Sequence, residues 1–254
     1  MARVRLLLLP MVLFALVMTT AATGGATRVV HPPRVKGPSH RTSLNWSGYV
    51  ASGQQFSDVR GSWSQPTVTC TVANKKGKPR PSGPGYSSVW VGLDGYTSPS
   101  VEQTGTEADC GNGGTAFYYA WYELYPAATV VLDPASYPVE PGDSLSGEVN
   151  ATTGTITLAD STQGWTFTQN GVDFSGDQLS SAEWIAEAPF HGHILPLSDF
   201  GTVTFTNATA DGAPISSYGT VDPITMTDHK GVVRATPSAL GGNGSTFSIT
   251  WSHT

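Results

Sequence analysis

Ala116-Phe117-Tyr118-Tyr119-Ala120-Trp121-Tyr122-Glu123-Leu124-Tyr125 is the stretch on which the fold turns. Side chains of a strand point to alternate faces, so this run divides into two rows. Phe117, Tyr119, Trp121, Glu123 and Tyr125 form one row, and Tyr118, Ala120, Tyr122 and Leu124 form the other. A carboxylate among four aromatics suits neither a packed core nor a solvated face. It suits the floor of a cleft that grips an extended chain.

Working outward, the same period-two pattern recurs in Ser87–Leu93, Ser144–Asn150, Thr155–Leu158, Trp165–Gln169, Ala182–Ala186, Thr202–Thr206 and Phe247–Trp251. Gly and Pro punctuate the chain between them, and helical periodicity is almost absent. Short, regularly spaced strands with turn signals predict an all-β, antiparallel sandwich or barrel. In Ser87–Leu93, Val89, Val91 and Leu93 share one face, while Trp90, Gly92 and the following Asp94 share the other. In Ala182–Ala186, Glu183 and Ile185 point one way, Glu187 continues their row, and Ala182, Trp184 and Ala186 point the other way. Three strands thus each place an acid on one face.

The N-terminus reads as an address. Arg3 and Arg5 precede an apolar run from Leu6 to about Met18, then small residues from Thr19 to Ala26. That order predicts a secretory signal peptide over 1–26 and an extracellular protein. The run is shorter than the ~20 apolar residues of a membrane span, so no membrane association is expected once it is removed. Residues 27–43 read as a propeptide or a disordered arm, with Arg28, Arg34, Lys36 and Arg41 and no acid. The chain holds 13 basic and 19 acidic side chains; six of the basic ones precede residue 43, which leaves the body at a net −12. So acidic a body argues against a nucleic-acid partner. A basic arm ahead of it is either a cover for an acidic cleft or a solvated tail. The remaining 44–254, about 210 residues, form one domain of ordinary size.

Cys70 and Cys110 are the only cysteines. In an exported chain an even pair favours a disulfide over a thiol nucleophile. Asn45, Asn150, Asn207 and Asn243 lie in N-x-[ST] sequons. Lys75–Pro81 reads as a basic surface loop. There is no G-x-S-x-G elbow, no H-E-x-x-H helix and no Gly-rich phosphate loop. The two-aspartate protease motif is absent too; the nearest match, Gln103-Thr104-Gly105, carries an amide where that motif needs an acid. His191-Gly192-His193 alone is weak evidence for metal, so no metal and no cofactor are expected.

Five motifs occur in order: Trp90-Val91-Gly92-Leu93-Asp94-Gly95, Glu102-Gln103-Thr104-Gly105, Trp121-Tyr122-Glu123-Leu124-Tyr125-Pro126, Ser181-Ala182-Glu183-Trp184-Ile185-Ala186-Glu187 and Phe200-Gly201-Thr202-Val203-Thr204-Phe205. Together with Asn45–Tyr49 and Trp63–Val68 they resemble the eqolisins, the glutamic peptidases of fungi and bacteria, over roughly 44–210. The resemblance implies a sandwich of two long antiparallel sheets and a pepstatin-insensitive acid endopeptidase acting on proteins or peptides. It implies a catalytic pair, falling on Gln103 and Glu183. It also implies that Trp90 and Asp94 line and support the site and that Glu123 belongs to it; Trp121 and Tyr125, in the same motif as Glu123, are expected beside them. Two positions depart from the common fungal pattern: Glu107, where Asp is usual, and Leu124, where Trp is usual. Both bear on subsite shape.

In that chemistry a carboxylate of ordinary pKa near 4 takes a proton from water in mild acid. Glu183 is the expected base, and the Gln103 amide the donor to the oxyanion. Asp94 and Glu123, crowded nearby, would raise each other's proton affinity. A monomer is expected. Two rival readings use the same residues: a glycoside hydrolase with Glu123 and Glu183 as paired carboxylates, or a lectin-like module binding sugars on the aromatic face.

Overall fold

The computed structural model describes residues 29–253. The expected signal peptide lies outside them. Eighteen strands are present among the described residues, in chain order β1 (Thr42–Ser43), β2 (Trp46–Ser52), β3 (Asp58–Ser64), β4 (Thr71–Ala73), β5 (Pro79–Pro81), β6 (Ser88–Leu93), β7 (Val101–Cys110), β8 (Ala116–Tyr125), β9 (Val130–Val131), β10 (Ser144–Asn150), β11 (Thr155–Asp160), β12 (Trp165–Asn170), β13 (Ser181–Glu187), β14 (Thr202–Ala210), β15 (Ala213–Pro214), β16 (Thr220–Thr227), β17 (Val233–Pro237) and β18 (Phe247–Trp251).

Two long sheets result. The first runs β12-β11-β10-β3-β14-β18-β17-β16, and the second runs β16-β2-β13-β6-β7-β8-β9, with β16 shared between them. The long pairings are antiparallel, as expected; the short β1 pairs parallel to β16. All eight expected strands are present; β11, β12 and β13 run a residue or two longer than the sequence suggested, β14 extends to Ala210 rather than Thr206, and β6 starts at Ser88 rather than Ser87.

The inner faces of the two sheets meet in one core. Val59, Trp63, Leu145, Val149, Ile156 and Leu158 come from the first sheet, and Val89, Val91, Leu93, Ala182 and Trp184 from the second. The sheets approach closely at Gly61, where a Cβ would stand 2.9 Å from Trp184 Cδ1. That gap admits the indole, whose Nε1–H donates to the Arg60 carbonyl at 2.7 Å. Burying a Trp with its N–H paired is what makes such a residue stabilising rather than costly in a core.

A second, smaller core lies on the other face of the second sheet. Trp46, Val50, Trp90, Tyr96, Val101, Tyr119, Trp121, Ile185 and Ile224 build it, with Tyr125 packed at its edge. This is the face that carries the acids. Cys70 and Cys110 are joined by a disulfide, which ties the end of β7 to the approach to β4. The basic loop Lys75–Lys78 is the exposed tip of the β4–β5 hairpin.

Candidate active site

Register fixes what shares a row, because residues paired across antiparallel strands point to the same face. Glu183 pairs with Gly92, Gly92 with Gln103, and Gln103 with Glu123. The adjacent row is Ile185, Trp90, Gly105 and Trp121, and the next is Glu187, Ser88, Glu107 and Tyr119. The outer face of the second sheet is therefore a grid: a polar row, an aromatic row, and a second polar row.

Glu183 and Gln103 stand two strand spacings apart, about 10 Å between backbones. Only Gly92 lies between them in that row. A Cβ there would come within 3.0 Å of both Gln103 Cβ and Trp90 Cζ3. The glycine thus keeps room for the two side chains to lean toward each other. Both are fully buried. Gln103 Oε1 and both carboxylate oxygens of Glu183 have no hydrogen-bond partner among the described residues. Burial holds the Glu183 carboxyl well above the usual carboxylate range; Asp94 and Glu102 add to that rise, and the nearby Ser181 hydroxyl opposes it.

Gln103 sits mid-strand in β7. Its Nε2 donates to the His31 carbonyl at 2.7 Å and lies 3.4 Å from Glu123 Oε2. Glu123 Oε2 in turn accepts the His31 backbone N–H at 2.8 Å. Burial lifts Glu123 to about 7, while the His31 N–H and the Thr129 hydroxyl pull it down. Crowding by Asp94 plays no part there, so burial rather than mutual repulsion sets the raised proton affinity of this acid.

Asp94 follows β6 in a left-handed conformation, φ 70°. Its Oδ2 accepts the Leu179 N–H at 2.6 Å, and its Oδ1 accepts the Ser180 N–H at 2.9 Å and the Ser98 hydroxyl at 2.9 Å. It ties the end of β6 to the segment that enters β13 ahead of Glu183. Trp90 Nε1–H donates to Glu187 Oε2 at 2.9 Å, and the ring meets Trp46 edge-on. Tyr125 only flanks this assembly.

Sequence reasoning missed His31, in the arm. Its imidazole stacks on Trp121 with centroids 3.8 Å apart and planes 7° from parallel. Its Nε2 lies 3.2 Å from Glu107 Oε1, and its Nδ1 lies 3.2 Å from Ser88 Oγ and 3.6 Å from Glu187 Oε2. His31, Trp121, Glu107, Ser88 and Glu187 are all fully buried. Burial pushes His31 down to about 3 and holds Glu107 and Glu187 well above the carboxylate range. Asp109 contributes to the rise at Glu107, and Glu123 to the rise at Glu187. Burial thus disfavours charge on the imidazole and on both carboxyls. Asn45 joins in, donating to Glu187 Oε1 at 3.1 Å and accepting the Val35 N–H at 2.8 Å. This sequon asparagine is therefore part of the buried packing, whereas Asn207 and Asn243 are exposed.

An amide and several carboxyls on an aromatic-lined sheet face, on a sandwich of two long antiparallel sheets, define a peptidase of the glutamic class. Residues 44–250 match the profile of the peptidase A4 family. Aspergillopepsin-2 of Aspergillus niger is 33% identical over 200 residues, covering 72% of this chain and 70% of that protein. A scytalido-glutamic peptidase crystallised with a transition-state analog inhibitor has the same fold, with TM-score 0.64, 22% identity, and coverage of 82% of this chain and 98% of that one. SCP-B, a member of the eqolisin family in complex with the tripeptide Ala-Ile-His, superposes with TM-score 0.57 at 22% identity over the same shares. The chain belongs to the peptidase A4 family and is a glutamic endopeptidase.

Proposed function

We propose that this chain is exported and cleaves proteins in acid, with Glu183 as general base and acid and Gln103 as oxyanion donor. The observation that carries the assignment is the row Glu183–Gly92–Gln103, in which two buried side chains with unpaired oxygens flank a residue without a side chain. Buried polar atoms of that kind suit a water with several polar partners. In the reaction the ionised form of Glu183 takes a proton from the water as the water oxygen bonds to the scissile carbonyl carbon. The carbonyl oxygen becomes an oxyanion held by the Gln103 amide. The C–N bond then breaks, and the leaving nitrogen takes the proton back from Glu183. No cofactor enters these steps.

Peptide as the ligand class is supported from within the chain. The backbone of His31 lies across Gln103 and Glu123 much as a bound peptide would, its carbonyl on the amide. We take residues 27–43 as a removable segment that covers the cleft, and 1–26 as the export signal. The mature protein then acts as a monomer outside the cell.

The test is digestion of a denatured protein from about pH 3 to about pH 7, a span that runs above the ordinary Glu value because burial raises Glu183, in the presence of pepstatin and a chelator. Wild type is expected to digest it under both additives, and Glu183→Gln to be inactive. Full activity in Glu183→Gln would remove the proposed base.

A further inference from the structure

Resting on the reading that Gln103 and Glu183 hydrolyse peptides, the geometry points to a specificity subsite beside them. We infer that the hollow formed by Trp121, Glu107, Glu187 and Ser88 receives the side chain of the residue whose carbonyl is cleaved, and that it selects histidine.

His31 shows how the seat works. Its carbonyl is on the Gln103 amide and its own N–H is on Glu123, so both ends of this one residue are fixed. The side chain then has one direction to go, across the aromatic row. There a flat ring finds the face of Trp121 at stacking distance. The ring's edge meets polar atoms on both nitrogens: Glu107 on Nε2, Ser88 and Glu187 on Nδ1.

Glu107 makes the selection. It is wholly buried, and among the described residues neither of its oxygens has a hydrogen bond of good geometry, though Asp109 stands close enough to raise its proton affinity. The Nε2 of His31 is the ring atom brought up to it. An aliphatic side chain in the seat would stack poorly and leave a buried acid facing carbon. Sites built around a polar group reject analogues that cannot answer it far more strongly than apolar pockets reject a missing methylene. Glu187 is already engaged by Trp90 and Asn45 and contributes mainly to the wall.

The test uses the full-length protein, held in acid until its rate is constant. The probes are two peptides identical except at one position, histidine in one and leucine in the other, with the cut bond located by mass spectrometry. The histidine peptide is expected to be cut after histidine, with kcat/KM at least about ten-fold above that of the leucine peptide. Glu107→Leu should invert the preference, and Glu107→Gln, which keeps a hydrogen-bonding group, should retain part of it. Equal kcat/KM for the two peptides in wild type, or cutting elsewhere, overturns the subsite while leaving the peptidase reading intact. Failure to cut either peptide, in a preparation that also fails on denatured protein, overturns both. If Glu107→Leu does not fold, the wild-type ratio and the Glu107→Gln ratio decide.

Discussion

At the scale of single residues the proposed chemistry rests on a few buried polar side chains, and burial shifts the pKa of the acids among them. Gln103 cannot ionise, so its contribution is a directed N–H. Gln103→Ala is expected to lower kcat/KM on denatured protein about 10²–10³-fold, as loss of one oxyanion donor does elsewhere, measured at the pH of maximum activity. Asp94 acts at one remove. Asp94→Ala strips the acceptor from the Leu179 and Ser180 N–H groups, at ~1–3 kcal/mol for each buried donor left unpaired. The melting temperature should fall, and activity with it, because the lead-in to Glu183 is no longer fixed. Most of these residues stand out in the sequence: alternation sets Glu123, Trp90, Asp94 and Glu183 on faces of their strands, and the family pattern singles out Gln103 and Glu183. His31 does not. It lies in a basic segment without period, and only three-dimensional closure brings it onto Trp121.

At the scale of elements, β7 explains both what could be read and what could not. A strand such as β10 announces itself because Leu145 and Val149 face the core while Ser144, Ser146 and Glu148 do not. All ten residues of β7 are buried, as are all those of β6 and β13, but β6 and β13 carry Val, Trp and Ile where β7 carries Glu102-Gln103-Thr104-Gly105-Thr106-Glu107, so no apolar row marks it. A sheet covered on both faces loses the period-two signature. β2 is hidden for the same reason, with six of its seven residues buried. The row that β7 completes depends on Gly92 in β6. Gly92→Ala forces a Cβ against Gln103 Cβ and Trp90 at 3.0 Å. Misplacement of a catalytic group by about 1 Å costs on the order of 10²-fold. We expect kcat to fall by a factor of that order while the overall fold, followed by circular dichroism, survives.

At the scale of the whole molecule, the buried acids make stability depend on pH. Glu123 rises from an ordinary 4.5 to about 7, and Asp109 from 3.8 to about 7, both mainly through burial. A folded pKa above the unfolded one gives stability that is complete below the unfolded value and is lost as pH rises through the folded value. The melting temperature should therefore fall between about pH 4.5 and pH 7 and beyond, as scanning calorimetry would show; a rise over that interval would contradict the burial of these groups. His31 works the other way. Its folded value of about 3 lies below the ordinary 6.5, so the packing it contributes is present above 6.5 and weakens as pH falls toward 3. Acid thus loosens the arm while it steadies the body. The two-sheet architecture itself was legible from strand spacing, but strand order was not, since it is set by pairings between residues far apart in the chain. One such pairing has a consequence for biosynthesis. β18, the last strand, is inserted between β14 and β17 in the middle of the first sheet. Until residues 247–251 leave the ribosome, β14 and β17 each present a bare edge, and the sheet cannot close. The first sheet is therefore completed by the segment made after all its other strands, and its closure waits on residues 247–251.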